Sequence, residues 1–255
     1  MWTPDIYEGA PTPITAFLSI GSKAAGFVAF IRIFFHVFAI FTPIFMPLLI
    51  GLTVLTLVVG NLIAIAQTHL KRLLAYSGIA HAGYILLGVI AYSKMGLSAI
   101  LFYLLLYLFA NIGAFAAVTA LMMQTGHDRI GDLSGLWKRA PFVSSVLLIS
   151  LLSLAGIPPT AGFIGKFYLF AEIIRQGHLG LAVIALGMSL VAIYYYLIVI
   201  RACLSGSTGE NTSTAPIPLS LKLVMLVSAT MTLAMGIFPG FFTDYVMKVT
   251  QSFFG

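Results

Sequence analysis

An apolar run from Phe142 to Ile174 holds two consecutive prolines, three glycines and one lysine, with Glu172 as its only other charge. Proline has no N–H to donate and clashes with the preceding turn, so Pro158 and Pro159 are expected to break a helix here into two halves. Lys166 follows the break by seven residues, which at helical rise is about 10 Å, well inside a hydrocarbon layer about 30 Å thick. A lysine at that depth costs about 3 kcal/mol on insertion scales, so function is its default reading. Broken helices carrying a buried charge mark ion paths in transporters.

The rest of the chain repeats apolar runs of about 20 residues or more. Sixty per cent of it is hydrophobic and 8% charged, against about 25% charged in soluble domains. The fold class this defines is an all-α polytopic membrane protein with about seven transmembrane helices. Cys203 is the single cysteine, no Cys/His cluster has metal-site spacing, and no bound cofactor is implied. The opening MWTPDIYEGAPTP has neither the basic start nor the short apolar core of a signal peptide. The net charge of +6 is carried by residues standing singly or in pairs at span ends, which fits orientation in lipid rather than nucleic-acid binding.

Read in order as a single membrane domain, residues 1–12 form a loop and 13–123 four helices, at about Pro13–Phe35, Ile44–Ala66, Leu73–Tyr92 and Leu97–Met123. Residues 124–140 form a hydrophilic loop, and 141–204 the broken helix, as one crossing, and the helix after it. A polar, flexible link covers 205–218, and 219–255 hold the last helix and an interfacial tail. Seven crossings place Lys71, Arg72, Arg129, Lys138, Arg139, Arg201 and Lys222 on one face and Arg32, Lys94, Arg175 and Lys248 on the other. The richer face is expected in the cytoplasm and the C-terminus outside.

Lys23, ten residues after Pro13, falls near the bilayer centre, as Lys166 does. An amine at that depth carries its charge at a cost and can therefore exchange protons near neutral pH. The alternative is that each snorkels to the interface or joins a structural ion pair. His81, ten residues beyond Lys71, is either a proton relay between the lysines or a packing residue. Lys71 and Arg72 are interfacial anchors first and proton-entry groups second. Glu172 can pair with Lys166 or with Arg175. Asn111, Ser22, Ser77 and the Tyr194–Tyr196 cluster either line a hydrated path or hold helices together.

Three stretches, WTPDIYEGAPTPITAFLSIGSKAAGF, QTHLKRLLAYSGIAHAGY and SLAGIPPTAGFIGKFYLF, resemble the subunit N family of respiratory complex I, in the family's order and over nearly the whole chain. The resemblance implies an antiporter-like membrane-arm subunit that translocates protons driven by quinone reduction elsewhere, without redox chemistry of its own. NADH, FMN, iron–sulfur clusters and quinone are then expected in partner subunits, and the partners are other membrane-arm subunits, neighbouring antiporter-like ones included, in a bacterial plasma membrane. By motif, Lys23 in SIGSKAAGF matches the family's second intramembrane lysine. Lys166 in GFIGKF matches the lysine of its broken helix, on the exit side, and His81 in SGIAHAGY a position on the hydrated axis. The family pattern has about fourteen helices, so these seven correspond to the second half. A glutamate and the first channel lysine are expected upstream, and this chain alone is expected not to pump. Two other readings remain open: a multisubunit cation/proton antiporter or membrane-bound hydrogenase, and a structural membrane fragment without transport.

Overall fold

The computed structural model describes residues 2–37, 39–206 and 216–254; most of the 205–218 link lies outside them. The described chain is helical nearly throughout. Six helices are long and apolar enough to cross a membrane: α2 (Thr12–Arg32, continued by a π-turn at Ile33–Val37), α3 (Thr42–Ile65), α4 (Leu70–Ile90), α5 (Lys94–Thr125), α9 (Leu179–Leu204) and α10 (Leu219–Ile237). Between α5 and α9 stand the short α6 (Leu136–Arg139) and the two halves of the broken run, α7 (Pro141–Ala155) and α8 (Ala161–Arg175). A short α1 (Thr3–Gly9) precedes them and α11 (Pro239–Phe254) follows.

Contacts between helix ends sort these elements onto two faces. On one, Asp128, just after α5, accepts from the N–H of Lys71 at 3.1 Å, and Gly135 donates to the Ser205 carbonyl at the end of α9. On the other, Phe35 stacks on Tyr92 between α4 and α5, and Ser93 donates to Glu172 at the end of α8. The pair α7–α8 therefore starts on one face and ends on the other, as a single broken crossing. Both halves lie along α5, α9 and α10.

α4 and α5 form the centre and are buried over most of their length. α3 packs on α4 through glycine: a Cβ at Gly60 would come within 2.7 Å of the Ala80 nitrogen, and one at Gly83 within 2.8 Å of Leu57. Such close approach of backbones is the usual adhesive between helices in lipid, where apolar side chains gain nothing by leaving the solvent. The outward sides of α2, α3, α9 and α10 are apolar, with Phe17, Leu48, Leu190 and Leu223 exposed, as the lipid-facing surface of a bundle should be.

Several boundaries differ from the sequence reading by two or three residues, the fourth span starting at Lys94 rather than Leu97 and the 124–140 loop holding α6, and two differences have a visible cause. Residues 3–9 form helix α1 rather than loop, with Pro4 in its first turn. Its C-terminal carbonyls are bonded by Lys71, whose Nζ donates to Glu8 O at 2.6 Å and Ala10 O at 3.2 Å, and a cation there also complements the helix dipole. The third span starts at Leu70, not Leu73, because Asp128 accepts from the Lys71 N–H while its own carbonyl accepts from that of Leu70. Groups from a distant loop thus satisfy the exposed donors of the first turn. The amphipathic α11 packs across the first turns of α5 and meets α10, with Ser98 bonded to Thr250 at 3.0 Å.

Candidate functional site

Lys166 sits on the second turn of α8, 4% exposed. Its Nζ donates to the Ala155 carbonyl at 2.8 Å and to Ser189 Oγ on α9 at 3.0 Å, and lies 4.9 Å from the centroid of the Tyr84 ring. Ala155 is the last residue of α7, so the proline break leaves a carbonyl without its helical donor, at the negative end of a helix, beside the amine. The break is itself tightly built. Gly156 ends α7 in the left-handed region (φ 84°), and Ser153 Oγ accepts from the N–H of Gly162 at 3.1 Å, capping α8.

Lys23 reaches inward from α2. Its Nζ donates to the Gly78 carbonyl at 2.7 Å and to Tyr107 Oη at 2.9 Å, and lies 4.3 Å from the Tyr107 ring centroid. His81 lies between the lysines on α4, 3% exposed. Its ring is 5.0 Å from that of Tyr107 and 5.9 Å from that of Tyr84. Its Nδ1 lies 2.7 Å from Tyr103 Oη and its Nε2 3.4 Å from Tyr196 Oη. The order Lys23, Tyr107, His81, Tyr84, Lys166 is a corridor of polar tips in the middle of the bundle, walled by buried aliphatic and aromatic side chains.

Neither lysine belongs to an ion pair among the described residues; those pairs are His69–Asp128, Arg72 with Asp5 and Glu8, and Arg175–Glu172, all at the two faces. The corridor can hold a proton at three sites whose partners are carbonyls, hydroxyls and ring faces. These neutral groups stabilise a cation without fixing it, which is the condition for a site that must both gain and release a proton.

The other sequence candidates fall elsewhere. Lys71 is buried but serves to tie α1 to α4, and Arg72 pairs with Glu8 at 2.7 Å. Glu172 does not meet Lys166: it accepts from Ser93 Oγ at 2.7 Å and from Gln176 Nε2 at 3.1 Å, with Arg175 3.8 Å away. Side chains six residues apart leave a helix on different faces and separated along its axis. Glu172 instead borders a cavity of about 280 Å³ lined by α5, α8 and α11. Asn111 bonds Ser19 at 2.6 Å, joining α5 to α2. Ser22 is exposed and donates back to the Leu18 carbonyl, and Ser77 donates to the Leu74 carbonyl within α4. Of the tyrosine cluster, Tyr195 and Tyr196 are buried while Tyr194 is 58% exposed. The residues that reading the sequence missed are Tyr84, Tyr103, Tyr107 and Asn61. Their one visible signal is a hydroxyl or amide at helical spacing on otherwise apolar helices.

A broken helix with a lysine held at the break, opposite a second lysine reaching into the bundle and a central histidine, is the arrangement of an antiporter-like membrane bundle. Residues 1–192 match the family described as NADH:quinone oxidoreductase/Mrp antiporter, transmembrane, and the chain belongs to that family. The NADH-quinone oxidoreductase subunit N of Moorella thermoacetica is 48% identical over 254 residues, which are 100% of this chain and 53% of that protein. A chain of respiratory complex I from Thermus thermophilus superposes with a TM-score of 0.80 at 38% identity, over 95% of this chain and 53% of that one. A chain of the Mrp complex from Dietzia sp. gives a TM-score of 0.89 at 24% identity, over 99% and 55%, a likeness of fold. The chain thus spans about half the length of the curated relatives it matches.

Proposed function

We propose that the chain is the lysine-bearing C-terminal half of an antiporter-like proton-translocating subunit in the membrane arm of an NADH:quinone oxidoreductase. Redox work in partner subunits changes the charge state at one end of the corridor, and a proton passes from Lys23 by way of His81 to Lys166. The observation that carries this reading is that both lysines are held at mid-membrane by neutral groups alone, with a histidine between them. NADH, FMN, iron–sulfur clusters and quinone belong to the partner subunits, and the neighbours of this chain are other membrane-arm subunits and lipid. The membrane is the bacterial plasma membrane, with the C-terminus on its outer face.

The test uses the complex containing the full-length subunit, in sealed vesicles, with proton uptake measured against NADH oxidised. Lys23→Ala and Lys166→Ala are expected to lower the protons moved per NADH while the complex still assembles. Unchanged stoichiometry in both overturns the reading. Lost pumping with retained assembly also excludes a purely structural role. Since the fold is shared with an Mrp complex, a cation/proton antiporter is the second reading. Sodium-dependent transport without NADH would decide for it.

A further inference from the structure

On the face that holds Lys71 and Arg72, the last turn of α5 and the starts of α7 and α10 draw apart around an open recess of about 420 Å³. Phe142, Val143 and Ile217 give it apolar walls, and its polar side chains are Gln124, Arg139 and Lys222. Arg139 is half-buried and fixed by one nitrogen: Nη2 donates to the Asp132 and Ser134 carbonyls at 2.9 Å each, and the rest of the fork has no partner among the described residues. Lys222, exposed in the first turn of α10, and Gln124 have no side-chain partner among those residues either. None of the described lining residues is acidic. On the same face Asp128 is paired with His69, and Asp132 meets Arg139 through its backbone oxygen rather than its carboxylate.

Two cations facing one recess without a carboxylate between them repel each other and are stabilised by an anion. The arginine fork can bind two phosphate oxygens at once, and lysine serves as a point charge beside it. The volume is that of a small-molecule site, about 300–1,000 Å³, and leaves room for more than a lone ion. Leu223, Leu226 and Val227, within two turns of Lys222 on α10, are exposed and apolar. The recess is therefore a basic pocket at the head of a lipid-facing surface. We propose that it binds the headgroup of an acidic phospholipid, with the phosphate between Arg139 and Lys222, the glycerol against Phe142 and Ile217, and the acyl chains along Leu223, Leu226 and Val227. Basic pockets between membrane helices take such headgroups. A zwitterionic headgroup is disfavoured, since its ammonium would meet two cations and no carboxylate. A lipid held there ties the start of the broken crossing to α10.

The experiment uses the complex containing the full-length subunit, in vesicles that carry either a phosphatidylglycerol or a phosphatidylcholine with a photoreactive diazirine in the same acyl chain. After irradiation, the labelled peptides are mapped by mass spectrometry. Phosphatidylglycerol is expected to label the peptides holding residues 140–149 and 219–230, and Lys222→Gln to lower that labelling about fivefold while assembly on a native gel is unchanged. Lys222 is exposed, so its loss tests the site without disturbing the fold; Arg139→Gln, which also frees the Asp132 and Ser134 carbonyls, is expected to lower the labelling further. Lys248→Gln, on the other face, should leave it as it was. Equal labelling by both lipids would mean that the recess takes acyl chains without reading the headgroup, and would overturn the proposal. So would labelling unchanged in Lys222→Gln. Loss of the phosphatidylglycerol label in excess inorganic phosphate, but not in chloride of the same ionic strength, would make this an anion site filled from solution and exclude the lipid. Absence of label on these peptides with either lipid would show that a partner subunit covers the recess, and the proposal would fall. Each of these results leaves the translocating function where it stands, because the recess shares no residue with the corridor.

Discussion

Lys23 has one side-chain hydrogen-bond acceptor, Tyr107 Oη, and one backbone acceptor, the Gly78 carbonyl. Removing either leaves a half-buried amine short of a partner, which costs about 1–3 kcal/mol. A Cβ at Gly78 would lie 3.2 Å from both Lys23 Nζ and Tyr107 Oη, so the glycine keeps the room in which they meet. Tyr107→Phe and Gly78→Ala are therefore expected to lower proton movement per NADH. Tyr107→Phe should act by removing the acceptor and Gly78→Ala by pushing the amine aside, and the two changes together should cost less than their sum. Strict additivity in vesicle assays would show that they act at separate places. The lysines and the histidine were legible in the sequence because charge at mid-membrane depth is costly whatever surrounds it. Tyr107, Tyr84 and Asn61 were not, since a hydroxyl or amide on an apolar helix gains its meaning only from the neighbour it faces. The same limit applied to Glu172, where helical spacing suggested Arg175 but could not show Ser93.

The broken crossing depends on backbone contacts that leave no room for side chains. A Cβ at Gly162 would fall 1.7 Å from the Ser153 carbonyl oxygen, and one at Gly236 of α10 would fall 2.1 Å from the Pro159 oxygen. The break is therefore clamped from inside by α7 and from outside by α10, and it keeps the Ala155 carbonyl pointed at Lys166. Gly162→Ala and Gly236→Ala must displace backbone rather than a flexible side-chain end, and overpacking of this kind costs about 1–3 kcal/mol. Both are expected to lower the thermal midpoint of the detergent-solubilised complex. Gly187→Ala on α9, where a Cβ meets nothing within 4 Å, should leave it unchanged. Equal midpoints for all three would mean that the clamp is looser than the geometry requires. The break itself was readable from Pro158-Pro159, and its length from two half-runs too long for one straight helix. What the sequence did not reveal was α1, because seven residues without a long apolar run are held as a helix by Lys71 and Arg72, which stand more than sixty positions away.

At the scale of the whole bundle, charge is partitioned by the same end contacts that define the two faces. Lys71, Arg72, Arg129, Lys138, Arg139, Arg201 and Lys222 lie at helix ends or loops on one face, and Arg32, Lys94, Arg175 and Lys248 on the other. Lys23 and Lys166 are left between them. The bias of seven against four favours the first face as cytoplasmic, since basic residues near span ends are retained on that side. Reading the broken run as two full crossings would exchange Arg201 and Lys222 for Arg175 and Lys248 between the faces and leave the count at seven against four, so the charges alone do not choose between the two arrangements. The contacts of Ser205 with Gly135 and of Ser93 with Glu172 exclude the double crossing. Orientation can be measured without disturbing the corridor. Cys203 is fully buried, so the native chain is a quiet background for a membrane-impermeant maleimide. Trp137→Cys, on the first face and 44% exposed, and Tyr245→Cys, on α11 and 67% exposed, place one thiol on each side. In intact cells Tyr245→Cys is expected to label and Trp137→Cys to label only after the membrane is opened. The reverse pattern would invert the bundle and put Lys166, which lies on the half of the broken crossing nearer to α11, on the cytoplasmic rather than the outer half of the path.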